Sequence, residues 1–259
     1  MNGSGFCLYS WQSKGPELAR QIATTVADAL GVTPVSVDYA VVTPPDAEGE
    51  TLHLANMPWD EFVFSENPDA TGEFSFEGTL SKGKFFVALS DGRFDNLSRI
   101  SIAFDIGFAS ILADVENLIR LLVPLSRPAY GIAFPARTIF AASGYSRGMG
   151  SPLFANENPG LFQDDYRIGM RAKSFQAERL RMVYPLNLLN EQHLSLRIGK
   201  SALRDFITGD ARNGRLTELP DATWLWTVES TRLQELNDEF GASGLLICWQ
   251  PRPAKRRLP

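Results

Sequence analysis

A serine motif near the middle of the chain is the pattern most typical of catalysis. Gly144-Tyr145-Ser146-Arg147-Gly148 fits G-x-S-x-G, in which a nucleophilic serine occupies a sharp turn between a strand and a helix. The same mechanism requires an acid and then a histidine later in the chain. Asp164 or Asp165 and then His193 occur in that order, so a serine hydrolase centred on Ser146 is one hypothesis.

The sequence offers little support for the strand and the helix that would have to position this serine. Residues 139–142 are a candidate for the entering strand, but Met149-Gly150-Ser151-Pro152 is a poor start for the helix that must follow. His193 precedes Leu194 in an apolar stretch and is more typical of a hydrogen-bonded packing residue. We therefore predict that the protein is not an enzyme.

Other chemistry has little support in the sequence. His53 and His193 are the only histidines, and no metal-ligand spacing, P-loop or G-x-G-x-x-G motif occurs. Cys7 and Cys248 lie near opposite ends of the chain, so we expect two free, buried thiols and no disulfide framework. No catalytic residue, metal or cofactor is predicted, and the acid pairs Asp60-Glu61 and Asp164-Asp165 are expected to be solvated.

Periodicity predicts alternating groups of helices and strands. Amphipathic helices are expected over 16–30 and 109–123, with Pro124 ending the second, and a hairpin is expected from 73–80 and 84–89. Strands are predicted at 35–42, 98–104, 130–135, 224–228 and 245–249, with shorter helices at 201–208 and 230–240. The cation-rich stretch 164–182, which includes Arg179 and Arg181, is predicted to be a helix with a solvated face. The order favours an α+β fold, with antiparallel sheets and helices packed on their faces.

The composition is that of a folded globular protein. The 259 residues are 44% hydrophobic and 21% charged, which predicts a packed core rather than extended disorder. We predict one domain over 1–250, with an acidic surface excursion at 43–69, a Gly/Pro-rich loop at 141–160 and a disordered basic tail at 251–259. Neither a secretion signal nor an apolar membrane span is evident, so a cytoplasmic location is expected.

Charge is distributed unevenly along the chain. The segment 21–81 contains eleven Asp and Glu residues and no Lys or Arg, whereas 82–259 contains 23 basic and 18 acidic residues. A negatively charged surface repels phosphate groups, so neither nucleic acid nor a membrane is an expected ligand. It favours a basic protein partner, although an acidic surface that only aids solubility is an equally good explanation.

The acidic segment also contains aromatic residues. Tyr39, Trp59, Phe62 and Phe64 alternate with the carboxylates, as in many contact surfaces, although they could equally face the core. The predicted partner-binding residues combine the acids of the excursion with one aromatic anchor: Asp46, Glu48, Glu50, Trp59, Asp60, Glu61, Glu66 and Asp69.

Motifs in the second half of the chain carry a resemblance to a known family. They are Tyr130-Gly131-Ile132-Ala133-Phe134-Pro135, Val183-Tyr184-Pro185-Leu186-Asn187-Leu188-Leu189, His193-Leu194 and Gly199. With the order of elements over 74–250, this arrangement resembles polymorphic-toxin immunity proteins, in particular the immunity protein 52 family of type VI secretion immunity proteins. Tyr184 stands where related immunity families often have tryptophan.

The resemblance implies an inhibitor that binds and neutralises a cognate bacterial toxin. In this class the toxin is often a nuclease of the restriction-endonuclease-like type, whose basic cleft would attract an acidic surface. Two other functions remain open from the sequence. One is the serine hydrolase at Ser146, and the other is an assembly adaptor that uses the same acidic surface without inhibiting anything.

Overall fold

The architecture centres on a strand whose side chains are buried on both sides. β1 (Gly3–Tyr9) directs Phe6 and Leu8 into one apolar core and Cys7 and Tyr9 into another, because successive side chains of a strand point to opposite faces. The computed structural model describes residues 2–11, 16–46, 49–64, 70–92, 96–167 and 173–251. One long sheet therefore separates two cores.

The helices lie on both faces of this sheet. They are α1 (Pro16–Leu30), α2 (Trp59–Phe64), α3 (Phe108–Ser126), α4 (Ile139–Ser146), α5 (Gly160–Arg167), α6 (Glu191–Leu194), α7 (Leu203–Gly209) and α8 (Leu233–Ala242). The apolar faces of α1, α2 and α3 pack in the first core, and those of α4, α5 and α8 pack in the second. None of the helices in the described ranges combines the length and apolarity that a bilayer crossing requires.

The strands form an antiparallel sheet of ten members. The remaining strands are β2 (Ser36–Asp46), β3 (Gly49–Pro58), β4 (Ala70–Leu80), β5 (Gly83–Asp91), β6 (Ser98–Phe104), β7 (Tyr130–Ala136), β8 (Leu186–Asn190), β9 (Arg197–Ile198), β10 (Ser201–Ala202), β11 (Arg215–Leu219) and β12 (Thr223–Thr227). The spatial order is β11-β12-β8-β7-β1-β6-β5-β4-β2-β3, and β9 and β10 pair separately. The predicted α+β fold with an antiparallel sheet and helices on its faces is confirmed.

Several local predictions agree with the structure. Leu18, Ile22, Val26 and Leu30 place the apolar face of α1 on the sheet, and β4 and β5 form the predicted hairpin. Gly83 ends its turn with a φ of 155°, and a Cβ there would lie 2.6 Å from the Asp105 carbonyl oxygen, so the turn needs glycine. The two cysteines are free and buried, as predicted.

Other predictions differ from the structure in part or lie outside the described residues. The expected excursion at 43–69 continues β2, forms β3 and then forms α2, while 65–69 lie outside the described residues. The expected loop at 141–160 begins inside α4, and Pro124 lies within the last turns of α3. The predicted strand at 245–249 makes only the isolated bridges Leu180–Leu246 and Glu157–Trp249. Residues 252–259 of the basic tail lie outside the described residues.

Two parts of the sheet differ in how they are covered. The strands β1, β7, β8 and β12, called the covered half below, have buried apolar side chains on both faces. The strands β2 to β5 with α2, called the acidic half below, bury one face only. On their other face, no described helix covers β2 and β4, where Asp38 and Glu77 are exposed.

Candidate partner-binding surface

Ser146 lies in a setting that does not match a nucleophile elbow. It is the last residue of α4, whose start is capped by the Thr138 hydroxyl accepting a hydrogen bond from the Ala141 amide at 3.1 Å. The Ser146 side chain is buried, and its hydroxyl donates to the Ser143 carbonyl at 2.7 Å. A helix enters this position and a loop leaves it, the reverse of the strand-then-helix order that the motif requires.

The proposed partners of Ser146 are occupied elsewhere. The His193 imidazole accepts from the Asn190 amide at Nδ1 (3.3 Å), so Nε2 carries the proton and donates to the Phe175 carbonyl at 2.9 Å. Burial lowers the pKa of His193 to about 4, so the ring is neutral at pH 7. Asp165 accepts from the Ser174 hydroxyl and the Phe175 amide. These contacts fit the packing role expected for His193.

The predicted partner-binding residues are distributed over three elements. Asp46 ends β2, Glu50 lies at the start of β3, and Asp60 and Glu61 lie in the first turn of α2. Both α2 carboxylates are exposed. Glu48, Glu66 and Asp69 lie outside the described residues.

Trp59 does not provide the exposed anchor that the sequence suggested. Its side chain is 8% exposed and packs against Phe62 and Phe76, with ring centroids 5.8 and 5.2 Å apart. The α2 helix buries its aromatic side and presents its acidic side, because burying a ring is favourable whereas burying an unpaired carboxylate is costly. Trp59 therefore anchors the first turn of α2, which carries Asp60 and Glu61, to the core face of the sheet.

Two further carboxylates on the uncovered face were not among the predicted contacts. Asp38 on β2 is exposed and accepts from the Asn56 side chain of β3 at 2.8 Å. Glu77 on β4 is exposed on the same face, opposite the half-buried Phe86 of β5. Their alternation with Val37 and Phe76, which face the core, was a sequence signal that could have identified them.

These exposed carboxylates make no ion pairs among the described residues. Asp38, Asp60, Glu61 and Glu77 make no ion pair with any residue that the structure describes. Lys84 on β5 lines the same surface pocket as Glu77, but the two form no ion pair. An exposed apolar residue lies on the same side of the sheet as Asp38 and Glu77, because Phe140 on α4 is 86% exposed and α4 packs in the second core, on β6 and β1.

A buried polar network in the second core contradicts the prediction for the 164–182 stretch. This stretch does not form one solvated helix: α5 ends at Arg167, and Arg181 is fully buried. Its guanidinium donates to the Tyr9 hydroxyl at 3.1 Å and to the Tyr145 carbonyl at 2.7 Å, and it lies 4.2 Å from the Tyr145 ring centroid. The signal missed was a single arginine between Leu180 and Met182.

The network continues to a buried carboxylate. Burial, and then the charge of Glu157, raise the pKa of Tyr145, so its hydroxyl stays protonated and donates to Glu157. The other Glu157 oxygen accepts from the Leu153 amide at 2.7 Å. Buried charged and polar groups that are hydrogen-bonded in this way organise the core.

The charged groups of the described residues do not form a metal centre. No group of three or more His, Cys, Asp or Glu side chains within the described ranges is arranged to hold an ion. Burial raises the pKa of both Cys7 and Cys248 to about 12, so both thiols are protonated at pH 7. What remains is the acidic half, which presents Asp38 and Glu77 on its uncovered face and Asp60 and Glu61 on α2, packed on its other face.

Comparisons with known proteins show a shared fold. No protein-family model matches the chain, and no curated protein matches it. Among solved structures, the Pseudomonas aeruginosa T6SS (type VI secretion system) protein PA0821 is similar, with a TM-score of 0.52 and 14% sequence identity. The match covers 98% of this chain and 77% of that one.

Proposed function

We propose that this protein is a type VI secretion immunity protein that binds and neutralises a cognate toxin. The observation that carries the proposal is the acidic half, where four exposed carboxylates lack cationic partners among the described residues. A toxin that cleaves nucleic acid must attract phosphate and therefore has a basic cleft. The acidic half would dock in such a cleft and repel the substrate from it.

The comparison with solved structures supports this role, because the fold is similar to that of a protein described as a T6SS protein. The resemblance of the β7 and β8 motifs to the immunity protein 52 family stays a hypothesis, since no family model matches the chain. Long-range attraction between opposite charges accelerates association, which suits an inhibitor that must capture a toxin quickly.

The first test of this proposal is rescue from toxicity. The tagged protein is used to capture a partner from its native cells, and that partner is expressed alone and together with this chain. The proposal predicts that the partner is toxic alone and harmless in the presence of the chain. A partner that is harmless alone would contradict the proposal and support the assembly adaptor.

Charge reversal then tests where the toxin binds. We expect the set Glu48→Lys, Glu50→Lys, Asp60→Lys and Glu61→Lys to abolish rescue, because it converts the attraction into repulsion. The matched control reverses four exposed glutamates outside the acidic half: Glu178→Lys, Glu218→Lys, Glu229→Lys and Glu239→Lys. This control set changes the net charge by the same amount as the first set, and it should still rescue the cells. Equal rescue by the two sets of variants would mean that the interface lies outside the acidic half.

A further inference from the structure

The outermost strand of the acidic half has a hydrogen-bonding edge with which no described strand pairs. β3 pairs with β2 on one side and is the last strand in the sheet order, so no described strand pairs with its other side. The Trp59 amide donates to the Val35 carbonyl at 3.1 Å, in the register that places Val37 opposite Met57 and Tyr39 opposite Ala55.

That hydrogen bond determines which peptide groups are free. In an antiparallel pair, the backbone groups of a strand point alternately toward and away from the neighbouring strand. The groups of Trp59, Met57 and Ala55 point toward β2, so those of Leu52, Leu54 and Asn56 point to the free edge. Pro58 is on the same outward side, where its missing N–H costs the β2–β3 pairing nothing.

The two edges of the sheet are protected differently. Proteins commonly protect exposed edges with lysine, proline, bulges or a short strand. The other edge, β11, has five residues and begins with the exposed Arg215. β3 has ten residues, no Lys or Arg, and its only proline at the last position. The β2–β3 pairing has a register shift between Thr43 and Asp46, at the start of β3, and is regular from Thr51 to Pro58, so this regular stretch is suited to receive another strand.

The charge around the edge specifies the kind of strand. Asp38 is exposed on the neighbouring strand, and Asp60 and Glu61 follow β3 directly in α2. A second copy of this chain would bring two acidic edges together, which is unfavourable because like charges on adjacent strands repel. In an extended segment, Lys or Arg at alternate positions would all lie on one face of the sheet, either the face of Asp38 or the face on which α2 presents Asp60 and Glu61.

We propose that the free edge of β3 binds an extended basic segment of the toxin, which joins the sheet as an eleventh strand. This inference rests on the proposed function and adds the mode of binding. Backbone hydrogen bonds to Leu52, Leu54 and Asn56 supply affinity, and the surrounding carboxylates select a cationic segment.

The first experiment uses a defined peptide on the full-length chain. The probe is a blocked, fluorescently labelled decapeptide of alternating Lys and Val, and the control peptide has Glu in place of every Lys. Fluorescence anisotropy should show saturable binding of the Lys peptide at least about tenfold tighter than that of the Glu peptide. Absence of saturable binding of the Lys peptide up to about 1 mM would overturn the proposal.

A matched pair of variants tests the edge itself. Asn56→Pro removes the outward N–H, whereas Asn56→Ala removes the same exposed side chain and retains the N–H. We expect Asn56→Pro to bind the Lys peptide about tenfold more weakly than Asn56→Ala, because a backbone hydrogen bond is lost and the ring obstructs the incoming strand. Equal affinity in two variants with the same urea midpoint would overturn the proposal.

Hydrogen exchange of the wild-type protein provides a test that needs no variant to fold. The amides of Leu52, Leu54 and Asn56 should exchange at least about tenfold more slowly when the Lys peptide is bound. Binding without slower exchange at these three amides would place the peptide elsewhere and overturn the proposal.

Rescue assays separate this inference from the proposed function. If Asn56→Ala rescues cells from the captured toxin and Asn56→Pro does not, the edge holds the toxin. If both rescue fully, edge binding is overturned while the immunity function stands. If the wild-type chain fails to rescue, the immunity function fails, and with it the toxin as occupant of the edge.

Discussion

The covered half and the acidic half of the sheet belong to one structure but differ in how their polar groups are used. The covered half encloses the charged Arg181 in its second core, and Arg127–Asp221 and Arg204–Glu191 are surface ion pairs in the same part of the chain. In the acidic half, Asp60, Glu61 and Glu77 face solvent and make no ion pair with a described residue. One half therefore uses a charged side chain inside its core, whereas the other presents its carboxylates to solvent.

The largest effect is expected in the covered half, from Arg181→Met. Its guanidinium satisfies the Tyr9 hydroxyl and the Tyr145 carbonyl inside the core, so its loss leaves both without this donor. We expect the free energy of unfolding to fall by about 3 kcal/mol or more in urea titrations. Arg179→Met, an exposed neighbour, should change it by less than about 0.5 kcal/mol. Similar losses of unfolding free energy in Arg181→Met and Arg179→Met would contradict a stabilising role for the buried network.

A second prediction concerns the acidic half and the role of Trp59. Because Trp59 is buried against Phe62 and Phe76, Trp59→Ala should reduce the free energy of unfolding by about 3 kcal/mol. Val35→Ala, at a side chain that is 88% exposed, should leave it within about 0.5 kcal/mol. An unchanged urea midpoint for Trp59→Ala would mean that the ring is presented to a partner after all.

The third prediction is a pH dependence of stability from the covered half. The unfolded imidazole titrates near pH 6.5, whereas His193 in the fold has a pKa of about 4. Between these values the unfolded chain binds a proton that the folded chain does not, so stability is complete above about pH 6.5 and falls as the pH drops toward 4. The expected loss is about 2 to 3 kcal/mol.

Comparison with His193→Gln isolates this contribution. Urea midpoints of both proteins should be measured between about pH 7 and pH 4.5. The variant should be less stable at pH 7 and show a shallower decline, since the titrating imidazole is absent. If the urea midpoints of the two proteins changed in parallel with pH, His193 would not be the source of the pH dependence.

The smallest expected effect is a gradient of hydrogen exchange across the sheet. Amides of β1 and β7, buried on both faces, should exchange only through global unfolding. Outward amides of β3 in the free protein should exchange much faster than those of β1 and β7, because no described strand pairs with them. Equal protection of β1 and β3 would remove the distinction between the two halves.

Local pattern was sufficient to predict much of this fold. The four-residue spacing from Leu18 to Leu30 placed α1, and Ser81-Lys82-Gly83 between apolar runs placed the β4–β5 hairpin, because both elements form from neighbouring residues. The acidic character of the β2–β4 region was also visible in the sequence.

Features that depend on distant contacts could not be predicted in this way. Arg181 is buried by Tyr9 and Tyr145, which lie 172 and 36 residues away, and no local rule anticipates that pairing. The Pro- and Asp-containing segment after Thr43 continues β2 because β3 pairs beside it. The apolar run 245–249 follows strand propensity but contacts the 180 and 157 regions rather than the sheet.

The most direct test of the central claim is the salt dependence of binding to the captured partner. Association rates should be measured at rising ionic strength for the wild-type chain and for the reversal set at Glu48, Glu50, Asp60 and Glu61. If the acidic half attracts the toxin, the wild-type rate falls steeply with salt, and the variant is slower at low salt with a weaker dependence. Identical rates and slopes for the two proteins would contradict the account.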